Sequence, residues 1–173
     1  MKKTKTLLAM ILTLVLMLSV GTCAFAADAK FASTQKYVDA MAELEGAVCE
    51  VQPETQEIGS TYEVVKVDYE GELSKYKSHF NVGFTENSQE ILMSMTIMNY
   101  DPEKFSDVLT AVNDINAAAT TVKLYVDTNK NAVVGELYLL ATEDSLLEIA
   151  LTGTGIFIGY TDSVFEALAD YAA

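Results

Sequence analysis

Few side chains in this sequence are equipped for acid–base, nucleophilic or metal chemistry, and they are scattered. There is one histidine, His79, and there are two cysteines, Cys23 and Cys49. A Ser-His-Asp or Cys-His couple would have to use His79 as its base, yet no Gly-x-Ser-x-Gly elbow is present and nothing in the spacing ties Cys49 to it. One histidine and one retained cysteine cannot assemble a zinc site. Asp127-Thr-Asn129-Lys-Asn131 begins like a calcium loop. It then has Ala132 where a glycine is needed and Tyr138 where the bidentate glutamate belongs, so it reads as a solvated hairpin loop. Glu143-Asp144 suits the positive end of a helix dipole better than a glycosidase pair. Gly153-Thr-Gly155 lacks the Lys-Ser/Thr of a phosphate loop. The expectation is a protein with no catalytic residue, no cofactor and no metal.

Other residues could serve binding. Met93, Met95 and Met98 could line an adaptable groove, although at strand spacing they also suit a core. Asn113 and Asn116 lie near a helix end. There they can satisfy backbone groups or accept a left-handed turn, and direct contact with a partner is the alternative.

The elements that must position these residues follow from the periodicity. Lys2, Lys3 and Lys5, the apolar run Leu7–Val20 and Ala24-Phe25-Ala26 form a secretory signal peptide over residues 1–26. Cys23 resembles a lipid-attachment cysteine, but Thr22 before it fits that pattern poorly. Cleavage after Ala26 leaves 147 of the 173 residues, enough for one domain with a core. Those residues keep all 25 acidic side chains and no arginine. Such a surface repels nucleic acid and anionic membrane. With Cys23 removed, Cys49 has no internal disulfide partner and reads as a small buried hydrophobe, an intermolecular disulfide or a reactive thiol being the alternative. A secreted or extracytoplasmic location follows.

Residues 27–32 read as a flexible terminus and residues 33–173 as an α+β domain. Ser33 or Thr34 caps a helix to about Ala47, with Tyr37, Ala40, Met41 and Leu44 on its apolar face. Val48–Val51 begins a strand before a loop around Pro53 and Gly59-Ser60. Tyr62–Glu70, the Phe80–Thr85 strand and the Ile91–Met98 strand form a meander, with Leu92 and Met98 on the second face of the last strand. Asp101-Pro102 opens a helix whose stripe is Phe105, Val108, Leu109, Val112 and Ile115. A hairpin follows, with strands at Val122–Asp127 and Ala132–Leu140. Helix covers most of Asp144–Tyr171, with a kink or interruption near Gly153–Gly155, because each glycine costs roughly 1 kcal/mol against alanine. These glycines would let the helix lie close on the sheet.

This order, α-β-β-β-α-β-β-α, resembles the YbjN family of bacterial proteins, whose fold is like that of type III secretion chaperones. The resemblance spans roughly Phe31–Tyr171. It is carried by Val112-Asn-Asp-Ile-Asn116, by Lys123-Leu-Tyr-Val-Asp127, by the second hairpin strand and by the apolar final helix. It implies an antiparallel sheet packed against helices, and a chaperone-like or regulatory domain that binds protein and has no catalytic residues. Asn113 and Asn116 are the residues it draws attention to, and chaperones of that fold often pair, which leaves room for a homodimer. The signal peptide sets this chain apart from many relatives. The alternative is a small-molecule-binding or envelope-stress module using an apolar pocket between the final helix and the sheet.

Overall fold

The structure is a computed structural model that describes residues 29–57, 60–86, 89–119 and 121–173. The signal peptide, Cys23 and Gly59 lie outside the described residues. The order is α1 (Ala32–Ala42), β1 (Ala47–Val51), β2 (Thr55–Glu57), β3 (Ser60–Tyr69), β4 (Ser78–Thr85), β5 (Glu90–Asn99), α2 (Phe105–Ala118), β6 (Lys123–Asp127), β7 (Ala132–Leu140) and α3 (Leu146–Leu168). All pairings are antiparallel, in the order β1-β3-β4-β5-β7-β6, with β2 also paired to β3. The result is a single α+β domain. It has two strands more than the expected order: β1, where Val48–Val51 was expected to begin a strand, and β2, which falls in the stretch expected to be loop. β1 and β2 together run along β3 as one edge, broken at Gln52–Glu54 by Pro53, which cannot donate to a ladder.

Alternation along each strand separates two faces. The inner face carries Val65 and Val67 of β3, Phe80, Val82 and Phe84 of β4, and Ile91, Met93 and Met95 of β5, all buried. α1 and α3 cover it. Tyr37 of α1 is fully buried, meets Phe84 in a tilted contact at 5.2 Å and shares a 2.8 Å hydrogen bond with Thr154 of α3. Phe157 meets Phe80 at 6.2 Å, and the Thr161 hydroxyl lies 2.8 Å from the Met95 sulfur.

The ends of α1 depart from the sequence reading. The helix begins at Ala32 and stops at Ala42, and Ser33 and Thr34 sit inside it, buried and without hydrogen-bond partners for their hydroxyls. Its start is held from a distance. The buried carboxylate of Glu63 accepts from the backbone N–H of Lys30 at 2.8 Å and of Phe31 at 2.9 Å. Residues 30 and 31, read as a flexible terminus, are the ones so held. Gly46 follows the helix with φ of 85°, and a Cβ there would stand 2.2 Å from the Glu70 carbonyl oxygen.

β5 carries a bulge between Thr96 and Met98. The extra residue turns Met98 inward, where it is buried, rather than leaving it beside Leu92 on the second face as alternation suggests. Gly135 leaves room for the bulge, since a Cβ there would lie 3.2 Å from Ile97 Cδ1.

α2 starts as expected. Asp101 Oδ1 accepts from the Glu103 N–H at 3.0 Å, and Pro102 opens a short turn that leads into the helix. Its buried stripe is narrower than expected: Val108 and Val112 are buried, but Phe105 and Leu109 are 36% and 39% exposed. α2 lies along β6 at the border of the sheet, where only a thin stripe meets the core.

α3 is continuous through Gly153 and Gly155, so of the expected kink or interruption, the interruption is absent. Only Gly153 serves close packing. A Cβ there would meet Leu139 Cδ1 at 2.7 Å and Met93 Cε at 2.9 Å, whereas nothing lies within 4 Å of one at Gly155 or Gly159. Gly155→Ala and Gly159→Ala should therefore each raise stability by about 0.5–1 kcal/mol, and Gly153→Ala should forfeit that gain, as read from urea unfolding midpoints.

Candidate functional site

The second, outer face of the sheet is where accessible chemistry gathers. Tyr62, Val64, Lys66 and Asp68 of β3 project there, with His79, Asn81 and Gly83 of β4, Glu90, Leu92 and Ser94 of β5, and Glu136, Tyr138 and Leu140 of β7. Leu140 is 69% exposed and Tyr138 50%, and Val48 and Tyr125 on the flanking strands are exposed as well. Gln52, Pro53 and Glu54, at the break in the edge strand, rise beside this face. With Tyr62, Asn81 and Leu92 they line a shallow cavity of about 380 Å³. Tyr62 itself is buried with its ring over Gly83, where a Cβ would lie 3.2 Å from Tyr62 Cδ1.

Glu90 organises the centre of the face. Its carboxylate accepts from the Tyr62 hydroxyl at 3.2 Å, and it also bonds the Tyr138 hydroxyl. The carboxylate beside Tyr138 opposes ionisation of the phenol, whose pKa is pushed up to about 12. The result is two tyrosine hydroxyls converging on one carboxylate. Such a group can orient hydrogen bonds, but it holds no nucleophile poised at neutral pH.

The residues that could have supported catalysis are kept apart. His79 is exposed on the outer face and pairs across the ladder with Asp68. Cys49 pairs in register with Val67 and so shares the inner face, with the sheet between it and His79. Burial, with a further contribution from Asp68, pushes the Cys49 thiol up to about 12, so the thiolate is scarce near neutrality. Asp127 is occupied by its own turn, accepting from the N–H groups of Asn129 at 2.9 Å and Lys130 at 3.2 Å, and Asn131 takes a left-handed φ of 49°. Among the described residues no group of three or more His, Cys, Asp or Glu is placed to hold a metal ion.

Met93 and Met95 are buried under the helices, on the opposite face from the cavity. The geometry therefore supports their core role. The two asparagines separate. Asn113 is exposed on α2. Asn116 turns its amide onto β6, where Nδ2 donates to the Leu124 carbonyl at 2.7 Å and Oδ1 accepts from the Leu124 N–H at 2.9 Å. That amide stands in for a further strand. Lys123 Nζ closes the same corner by donating to the Ala119 carbonyl at 2.8 Å.

Sequence reasoning passed over Glu90, Tyr62, Tyr138 and Leu140. A signal was present in β7, where Leu137, Tyr138, Leu139 and Leu140 put apolar or aromatic side chains on both parities of one strand. No family model, curated protein or solved structure matches the chain.

Asn116→Ala should cost about 1–3 kcal/mol, because both Leu124 backbone groups lose their partner, whereas Asn113→Ala should stay within about 0.5 kcal/mol of the parent protein in the same urea titration. The Tyr138 contribution has a definite sign. A folded-state pKa above the unfolded value of about 10 gives stability that is present below that pH and is lost as pH rises through about 12. Glu90→Gln should return the Tyr138 titration towards an ordinary phenol, as read by ultraviolet difference titration against Tyr138→Phe.

Proposed function

We propose that this chain is a non-enzymatic protein-binding domain, YbjN-like and chaperone-like in kind, working outside the cytoplasm once residues 1–26 are removed. The observation that carries this reading is the outer face. It belongs to a broad antiparallel sheet whose other face is covered by α1 and α3, and it presents Tyr125, Tyr138 and Leu140 to solvent. Exposed aromatic and apolar side chains grouped on a rigid sheet are typical of interaction surfaces. The YbjN-like part of the reading draws on the sequence of elements from α1 to α3 and on the Val112–Asn116 and Lys123–Asp127 segments, which meet through the Asn116–Leu124 bonds.

A second reading, a small-molecule-binding or envelope-stress module, draws on the cavity beside Tyr62 and Leu92. The space between α3 and the sheet, where a pocket was expected, is closely packed at Gly153, Met93 and Leu139. On this reading a ligand would sit on the outer face instead.

A photo-crosslinking residue placed at position 140 tests the first reading in the native host. Protein crosslinks should form there well above those from a control at Glu166 on α3, and Tyr138→Lys should suppress them. Equal labelling from the two positions would reject an outer-face partner. Thermal stabilisation by a small-molecule library, abolished by Leu92→Glu, would favour the second reading.

A further inference from the structure

The two edges of the sheet are treated differently. On β6, the outward N–H and C=O of Leu124 are taken by the Asn116 amide, and α2 runs alongside. On β1, hydrogen bonds fix which groups face outward. Glu70 N–H donates to the Gly46 carbonyl at 2.8 Å and Gln52 N–H to the Val64 carbonyl at 2.7 Å. In an antiparallel ladder the bonded residues alternate, so Gly46, Val48, Glu50 and Gln52 face β3, and Ala47, Cys49 and Val51 turn their backbone groups away from it. The Ala47 N–H is used by the Leu44 carbonyl at 3.1 Å. Among the described residues no donor or acceptor meets the outward N–H and C=O of Cys49 and Val51. Pro53 protects the continuation of this edge, but Ala47–Val51 has no such device.

We infer that the Ala47–Val51 edge is a docking site for an extended segment that alternates apolar and basic side chains and adds to the sheet as a further strand. Two observations set that chemistry. First, residues 43–54 carry Glu43, Glu45, Glu50 and Glu54 and no lysine, arginine or histidine. Second, the two sides of β1 differ. Ala47, Cys49 and Val51 are half-buried on the inner side, where an apolar side chain of the incoming strand extends the core. Glu50 is exposed on the outer side, where a lysine or arginine of that strand meets it. A second copy of this chain fits less well, because two-fold pairing about Cys49 would bring Glu43 and Glu45 of one copy towards Glu54 of the other. The inference rests on the protein-binding reading, names the partner's chemistry, and uses an edge distinct from the outer-face residues Tyr138 and Leu140.

The probe is a short blocked peptide alternating lysine and valine, with a glutamate–valine peptide for comparison, measured by fluorescence anisotropy against the full mature protein. The lysine peptide should bind at least about tenfold more tightly than the glutamate peptide. Cys49→Pro removes only an outward N–H and leaves the β3 ladder intact, so it should fold as the parent does by circular dichroism and lose at least about tenfold in affinity. Cys49→Ala should bind as the parent does. Glu50→Lys, an exposed change that tests the charge without touching the backbone, should weaken the lysine peptide several-fold even if Cys49→Pro fails to fold. Equal binding of the two peptides, no binding of either, or undiminished binding by Glu50→Lys or by folded Cys49→Pro overturns the inference. No peptide binding by the parent protein, with crosslinks retained at position 140, would sink the edge site alone and leave the outer-face reading standing.

Discussion

A sheet of this kind has one face that must leave water and two edges whose backbone groups need partners, and among the described residues three helices are available to meet those needs. Tyr37 shows how tightly the first need is met. Its ring rests on Phe84 and its hydroxyl meets Thr154, so one side chain of α1 ties the sheet to α3. Burial without that bond would strand a phenol in an apolar layer, which is costly. Burial also raises its pKa, which keeps it neutral and suited to the Thr154 contact. With α1 and α3 committed to the inner face, α2 goes to the β6 border, and the outer face and the β1 edge are left for other uses.

The same arrangement accounts for the fate of the polar residues. Glu63 is spent on the start of α1, Asn116 on the edge of β6, and Asp127 on its own turn. Ser74 and Lys75 bind Asp162 and Glu166, and Tyr76 meets Phe165 in a tilted ring contact at 4.7 Å, which straps the β3–β4 connection onto α3. His79 and Cys49 stand on opposite faces. What faces solvent is surface: the side chains of Tyr125, Tyr138 and Leu140 and, among the described residues, an edge of β1 with no strand beside it. A binding role uses that surface.

Much of the fold was legible in the sequence because it depends on local rules. The meander of β3, β4 and β5 follows from period-two alternation, the opening of α2 from Asp101-Pro102, and the β6–β7 hairpin from a turn rich in asparagine. The misreadings each have a physical cause. Ser33 and Thr34 look like caps, but the capping carboxylate comes from Glu63 in a distant strand. Met98 breaks parity because a bulge inserts Ile97. Phe105 and Leu109 follow a helical stripe that the position of α2 leaves partly in water. Gly153 and Gly155 look alike in sequence, yet only the first faces Met93 and Leu139.

The candidate site was much less legible. Among the described residues the open face is defined by an absence of covering helices, and nothing local in β5 or β7 announces which side of a strand will stay uncovered. The sequence by itself determined the order of elements, the acidic balance, the separation of apolar and polar positions, and the lack of any motif for nucleophilic or metal chemistry. These follow from composition and from periods of two and three to four residues. Only the tertiary structure decided that Asn116 closes one edge while β1 stays open, that Glu90 gathers two tyrosines, and that Cys49 and His79 never meet. Each of these depends on strand register and on where the helices lie, which are set by contacts between residues far apart in the chain.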